Sequence, residues 1–184
     1  MKKRWMAVAL TAILLMAVGG AIGTVSVRQE SANVYDLYFV ERDLRAASGG
    51  DALRAEERVL SGGADSTAQQ AEALMAELLK GPVDQTLKSP FPKGTGLNSV
   101  EQKGTEIHVD FSAVYGTLSG MDLTLADYAV TMTLAQLPDV ARVRITVAGN
   151  NLDYRSRQVF LIRDILFAPK EDVVGTVAVQ LYFP

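Results

Sequence analysis

The sequence predicts an α+β fold, with one mixed or mostly antiparallel sheet, two helices packed on one face, and an N-terminal transmembrane or signal helix ahead of it. Two observations carry the globular part. Segments with strand-like and helix-like periodicity follow in the order β, β, α, β-hairpin, α, β and then more β. Tight hairpins, rather than an unbroken series of helical crossovers, join the strands. The third observation is the opening stretch, MKKRWMAVALTAILLMAVGGAIGTVSVR, in which Lys2, Lys3 and Arg4 precede an uncharged, mostly apolar run from Trp5 to Val27.

That run is long enough to cross a bilayer, since its residues span roughly 34 Å as a helix against a hydrocarbon core of about 30 Å. The basic flank should stay cytoplasmic, which places Arg28 to Pro184 outside the cell membrane in a single-pass arrangement. A second reading stands beside it. Met6 to Val18 has the length of a signal-peptide core and small residues follow it, although no A-x-A precedes a cut and apolar character resumes at Ile22 and Val25. Cleavage would leave a secreted domain. The chain contains no cysteine, which excludes lipid attachment through an N-terminal Cys and any disulfide framework.

Residues 1–28 are thus the anchor or signal and 29–33 a short linker. Val34 to Val40 (VYDLYFV) is rich in aromatic and branched residues and reads as a strand, with Tyr35, Leu37 and Phe39 on one face. RAEERVL at 54–60 is a second, weaker strand. A helix is expected over about 67–80: Ser66 caps it, Gln69 occupies the capping-box position, and Ala71, Leu74, Met75, Leu78 and Leu79 form its stripe. Gly81 and Pro82 stop it.

From Gly81 to Gly96 the chain carries three prolines and three glycines and reads as a loop. LNSVEQ, Lys103-Gly104 and TEIHVDFS then form a hairpin, with Ile107, Val109 and Phe111 inward and Glu106, His108 and Asp110 outward. A second helix is expected from about Leu125 to Leu137, capped by Thr124 with Asp127 three residues on. Leu125, Tyr128, Ala129, Met132 and Ala135 would form its apolar stripe, and Pro138 would end it. ARVRITV at 141–147 alternates as a strand, QVFLI at 158–162 is another candidate, and TVAVQLYF at 176–183 is the last. DLYFV at 36–40 and QLYFP at 180–184 share Leu-Tyr-Phe, a match that two strands meeting similar demands of a sheet would also produce.

Composition narrows the function. Removing Lys2, Lys3 and Arg4 from the 18 basic residues leaves 15 against 21 acidic ones, a charge of about -6 that argues against nucleic acid as a partner. Catalytic means are sparse, with a single His and no phosphate loop of recognised form. Glu106, His108 and Asp110 share a strand face and are the candidate metal or acid–base cluster, for which a solvated hairpin face is the simpler account. Paired acids at Glu56 and Glu57, Glu106 and Asp110, and Glu171 and Asp172 could suggest glycoside hydrolysis, but nothing in the sequence marks a cleft between them. Arg142, Arg144, Arg155, Arg157 and Arg163 concentrate positive charge late in the chain, opposite an acidic stretch at 41–72. Such patches could join one copy to another or to a partner, or be ordinary solvated charge. Tyr38 and Tyr182 fall on the face opposite the apolar strand residues. No catalytic, cofactor-binding or metal-binding residue is assigned, and no cofactor is expected.

The order of motifs, LYFV, ALMAELLKGP, SPFPKGTGLNSV, VDFS and TMTLAQLPDVARVRITVAG, resembles the GerMN domain of sporulation and spore germination proteins over 34–150. The resemblance implies an extracytoplasmic, non-enzymatic α+β domain, held by residues 5–27, that supports assembly or stability of an envelope complex. Its partners would be envelope or sporulation-complex proteins, with homo-oligomers compatible. An extracytoplasmic small-ligand or cell-wall-binding domain is the alternative. The family's lipoprotein cysteine is missing here. Residues 151–184 fall outside the likeness and are expected to pack on the domain as a β extension, with QLYFP looking like the start of a second copy that Pro184 cuts short.

Overall fold

The computed structural model describes residues 33–43, 51–60 and 66–164. The anchor or signal, all but the last residue of the linker, the final strand at 176–183, Tyr182, Glu171 and Asp172 lie outside the described residues. No helix among the described residues is long and apolar enough to cross a membrane.

The class is α+β, but the strands form two sheets where the sequence suggests one. β1 (Asn33–Glu41) is flanked by β2 (Leu53–Leu60) and the two-residue β3 (Leu87–Lys88) in an antiparallel sheet of order β2-β1-β3. The second sheet has the order β4-β5-β6-β7 and is formed by β4 (Leu97–Lys103), β5 (Glu106–Phe111), β6 (Arg142–Val147) and β7 (Val159–Leu161). β5 and β6 run parallel and the other pairs antiparallel. The split has a local cause. After Lys88 the chain runs Ser-Pro-Phe-Pro, and proline has no N–H to extend a ladder, so the first sheet stops and the next strand begins elsewhere.

α1 (Thr67–Lys80) forms where expected. The Ser66 hydroxyl accepts the Gln69 amide at 3.3 Å, and Gly81 takes φ +87° with its N–H bonded to the Leu78 carbonyl at 3.2 Å. Ala71, Leu74, Met75 and Leu78 are buried, as their spacing requires.

α2 departs from the expectation. It spans Gly120–Leu134 with Ser119 before it, so it begins five residues ahead of Leu125 and ends three short of Leu137. Its buried residues are Leu123, Ala126, Asp127, Ala129, Val130, Thr131, Thr133 and Leu134, while Leu125, Tyr128, Met132 and Ala135 are only half-buried. The helix is apolar on nearly every side, so periodicity leaves its phase undetermined.

The helices touch both sheets, α1 meeting β4 and β1 and α2 meeting β1 and β6, and they are not confined to one face of a single sheet. The core between them includes Leu37, Phe39, Leu74, Leu78, Ile107, Val109, Phe111, Val130, Leu134, Val143 and Ile145, each fully buried. Three rings tie in the proline loop: Phe91 lies 5.7 Å from Phe111 and 5.9 Å from Tyr115, and Phe111 stacks on Tyr115 at 4.6 Å.

Candidate functional site

The face of the four-stranded sheet opposite Ile107 and Val109 gathers the residues the sequence marks as a candidate metal or acid–base cluster, but Asp110, expected outward, is buried. Register sets Glu106 opposite Arg142, His108 opposite Arg144 and Asp110 opposite Thr146. Each is committed to a neighbour. Arg144 Nε donates to Glu106 at 2.9 Å, and Arg142 lies 3.8 Å from the same carboxylate. The Thr146 hydroxyl donates to Asp110 Oδ1 at 2.6 Å, so its oxygen accepts from His108 Nε2 at 2.8 Å, which requires a proton on that nitrogen.

Asp110 also receives the Gly149 amide at 2.8 Å and Asn98 Nδ2 at 2.8 Å. Burial pushes its carboxyl up, but the hydrogen bonds from Thr146, Asn98 and Gly149, with the nearby His108, outweigh burial and hold it below the ordinary value. Asp110 therefore works as a fixed anion that pins the turn after β6, where Ala148 and Gly149 both have positive φ. No group of three His, Cys, Asp or Glu able to hold a metal ion occurs among the described residues.

Arg155 corrects the reading of a positive patch late in the chain, because it is buried. Its Nη1 donates to Asp127 Oδ1 at 2.7 Å, its Nη2 to the Ile145 carbonyl at 2.5 Å and to Gln158 Oε1 at 2.7 Å, and its guanidinium lies 5.6 Å from the Phe160 ring centre. Tyr115 Oη donates to the same Asp127 oxygen at 2.8 Å. Burial raises the Asp127 carboxyl to about 6, outweighing the pull of Arg155 and Tyr115 in the other direction. The Tyr115 hydroxyl is raised well above its usual range, chiefly by burial and next by the Asp127 charge. This node clamps the loop after β6 against α2.

Glu56 and Glu57 point to opposite faces of β2 and cannot act as a pair. Glu56 receives the amides of Val83 at 3.0 Å and Asp84 at 2.8 Å and forms a short ion pair with Arg58, whose Nη2 also donates to the Gly81 carbonyl at 3.1 Å. Its carboxyl is lowered: burial opposes this, but the two amides and Arg58 prevail. Arg54 binds Asp84 at 2.8 Å and Thr86 by a short hydrogen bond, which completes the attachment of the segment after α1 to β2.

A shallow recess of about 280 Å³ opens beside this segment, between the end of α1 and the proline loop. Leu79, Phe91 and Pro92 give it apolar wall, Ser89 and Thr95 hydroxyls, and Lys80 and Lys93 positive charge. The punctuation of SPFPKGTG signals a shaped loop, but nothing in the sequence says that the end of a helix faces it.

A family model described as Germane, sporulation and spore germination, matches residues 36–153. Among curated proteins none matches the chain by sequence. Three solved structures are similar to this chain. The tandem GerMN domains of the sporulation protein GerM from Bacillus subtilis share 18% identity, with 73% of this chain and 48% of that chain covered at a TM-score of 0.53, so this chain spans about half of the tandem structure. The first GerMN domain of that protein gives 22% identity, 65% and 86% coverage and a TM-score of 0.49. A candidate lipoprotein from Clostridium perfringens gives 17%, 75% and 85%, and 0.44. The family model spans well over half of the chain, and on that basis this protein belongs to the Germane, or GerMN, family of sporulation and spore germination domains.

Proposed function

We propose that the chain is a non-enzymatic, extracytoplasmic interaction domain, tethered by residues 5–27, that supports assembly or stability of a sporulation, germination or other cell-envelope complex. Membership of the family over 36–153 carries this reading. The polar groups agree with it: Glu56, Glu106, Asp110, Asp127 and His108 are each engaged in holding a loop or a strand pair rather than converging on a shared space. Deleting the gene in the source organism tests it. Impaired sporulation, germination or envelope integrity, restored by the full chain but not by residues 29–184 alone, is the expected result. Normal spores and a normal envelope would refute it.

The recess beside Phe91 and Lys93 favours a second reading, a small-ligand or cell-wall-binding domain. Lys93 suits an anionic group and Pro92 an apolar or sugar face, while Lys80 is paired with Glu77 and Phe91 is buried at the floor. Titration of the full chain with soluble peptidoglycan fragments decides it: saturable binding lost in Lys93→Glu supports the reading, and no binding removes it.

A further inference from the structure

The outer face of the three-stranded sheet is its own complement. Directly opposed residues share a face, so Val34 and Val59 form one row, Asp36 and Glu57 the next, Tyr38 and Ala55 the third, and Lys88, Val40 and Leu53 the fourth. The rows stand about 6.6 Å apart along β1. Val34 and Val59 are each 59% exposed and Glu57 and Lys88 are exposed, Asp36, Tyr38, Leu53 and Ala55 are half-buried, and Val40 is buried, so the contact falls to its neighbours in the row. Among the described residues no hydrogen bond or ion pair engages the Asp36 carboxylate, Glu57 or the Lys88 ammonium. Two carboxylates thus face each other across a strand pair with no cation paired to them among the described residues, an arrangement that destabilises an isolated ladder. An unused cation lies two rows away.

We infer that two copies of the chain pack these faces together about a two-fold axis that crosses the strands at the Tyr38 and Ala55 row. That operation lays the Asp36 and Glu57 row of one copy on the Lys88, Val40 and Leu53 row of the other, twice over, as an isologous interface requires. Lys88 then stands one strand spacing, about 4.8 Å, to the side of the other copy's Asp36, within the reach of its four-carbon stem. Tyr38 meets Tyr38 at the centre, where an aromatic ring supplies contact area. The alternative axis, along the strands, would set the acidic rows on each other. The charges therefore select one orientation. The patch is small, so the dimer is weak and concentration-dependent.

The natural chain has no cysteine, so a single introduced thiol reports its own neighbours. The full chain in membranes is prepared as Tyr38→Cys, Ala55→Cys and, on the edge of the other sheet, Ser99→Cys. A short bis-maleimide serves as crosslinker, because packed sheets stand about 10 Å apart, beyond a disulfide. Crosslinked dimer from both axial positions and none from Ser99→Cys is the expected result. Adding Lys88→Glu to Ala55→Cys should lower the dimer fraction about fivefold, the loss of two exposed ion pairs, and adding Asp36→Lys as well should restore it. Equal crosslinking at all three positions, none at either axial position, or no response to Lys88→Glu would overturn the inference. Circular dichroism of each variant confirms that the fold is kept.

Discussion

The side chain of Gln136 takes the place of a β-strand beside Asp36. Its Oε1 accepts the Asp36 amide at 2.7 Å, and its Nε2 donates to the Asp36 carbonyl at 2.5 Å. Two residues on, Thr133 Oγ1 accepts the Tyr38 amide at 3.2 Å, and β3 then takes over at Val40 and Glu41. The end of α2 and the residue after its cap thus complete the edge of β1, which explains why β3 needs only two residues and, with the prolines after Lys88, why the second sheet does not join the first. Gln136→Ala should cost about 1–3 kcal/mol, the worth of two hydrogen bonds. Amide exchange at Asp36 should quicken while exchange at Leu37, bonded toward β2, holds. Unchanged exchange at Asp36 would mean that this contact does not seal the edge.

Asp127 should give the domain a distinctive response to pH. Burial holds its carboxyl at about 6 in the folded chain against an ordinary 3.8. A raised carboxyl favours the protonated folded form, so its contribution to stability is fully present below about 3.8 and is lost as pH rises through about 6. The difference corresponds to about 3 kcal/mol. Asp127→Asn cannot titrate, so its stability deficit relative to the parent should be larger near pH 4 than near pH 7 by that order. Asp110 and Glu56, held low, lose their contributions on acidification in both chains and cancel from the comparison. Urea titrations followed by circular dichroism at the two pH values measure it; a deficit that shrinks on acidification would reverse the sign argued here.

The neighbours Glu56 and Glu57 should behave oppositely. Glu56→Ala removes the acceptor for the Val83 and Asp84 amides and should cost about 2–3 kcal/mol. Glu57→Ala, on the exposed face, should change stability by no more than about 0.5 kcal/mol. Thermal unfolding of both variants checks the contrast, and similar losses would contradict the division of roles.

Thr146→Val should uncouple His108 from Asp110 while keeping the shape of the side chain. Asp110 would lose one of its donors, at about 1–2 kcal/mol. The His108 ring would lose the acceptor that fixes its proton on Nε2. Nitrogen NMR of the ring should show that tautomer in the parent and a mixture in the variant; the same tautomer in both would place the cause elsewhere.

Local elements were legible in the sequence where one residue type has one use. Ser66, Gln69 and Gly81 bound α1, Gly104 marks the hairpin turn, which falls at Gly104-Thr105 and so one residue later than read, and the alternation of Val143, Ile145 and Val147 marks β6. The two-sheet division was only half legible: the prolines after Lys88 stop a ladder locally, but Gln136 and Thr133 seal the edge of β1 from almost a hundred residues away. α2 hid its phase behind an all-round apolar sequence, and with it the role of Asp127. Read three residues after a cap, Asp127 suits a helix start; with the helix beginning at Gly120, it lies about two turns in, buried, and needs Arg155. An acid in the middle of the apolar run from Leu123 to Leu134 was the available signal. For the candidate site, the shared face of Glu106, His108 and Asp110 was readable from strand alternation, whereas their fixed partners were not.

The central claim is that the domain acts by binding an envelope partner rather than by chemistry. In-cell photo-crosslinking from the full chain tests it most directly, with a benzophenone amino acid placed in turn at Lys93, Arg142 and Val59. The account predicts that at least one position captures a distinct envelope protein from the membrane fraction. Recovery of no envelope protein from any of the three positions would contradict it.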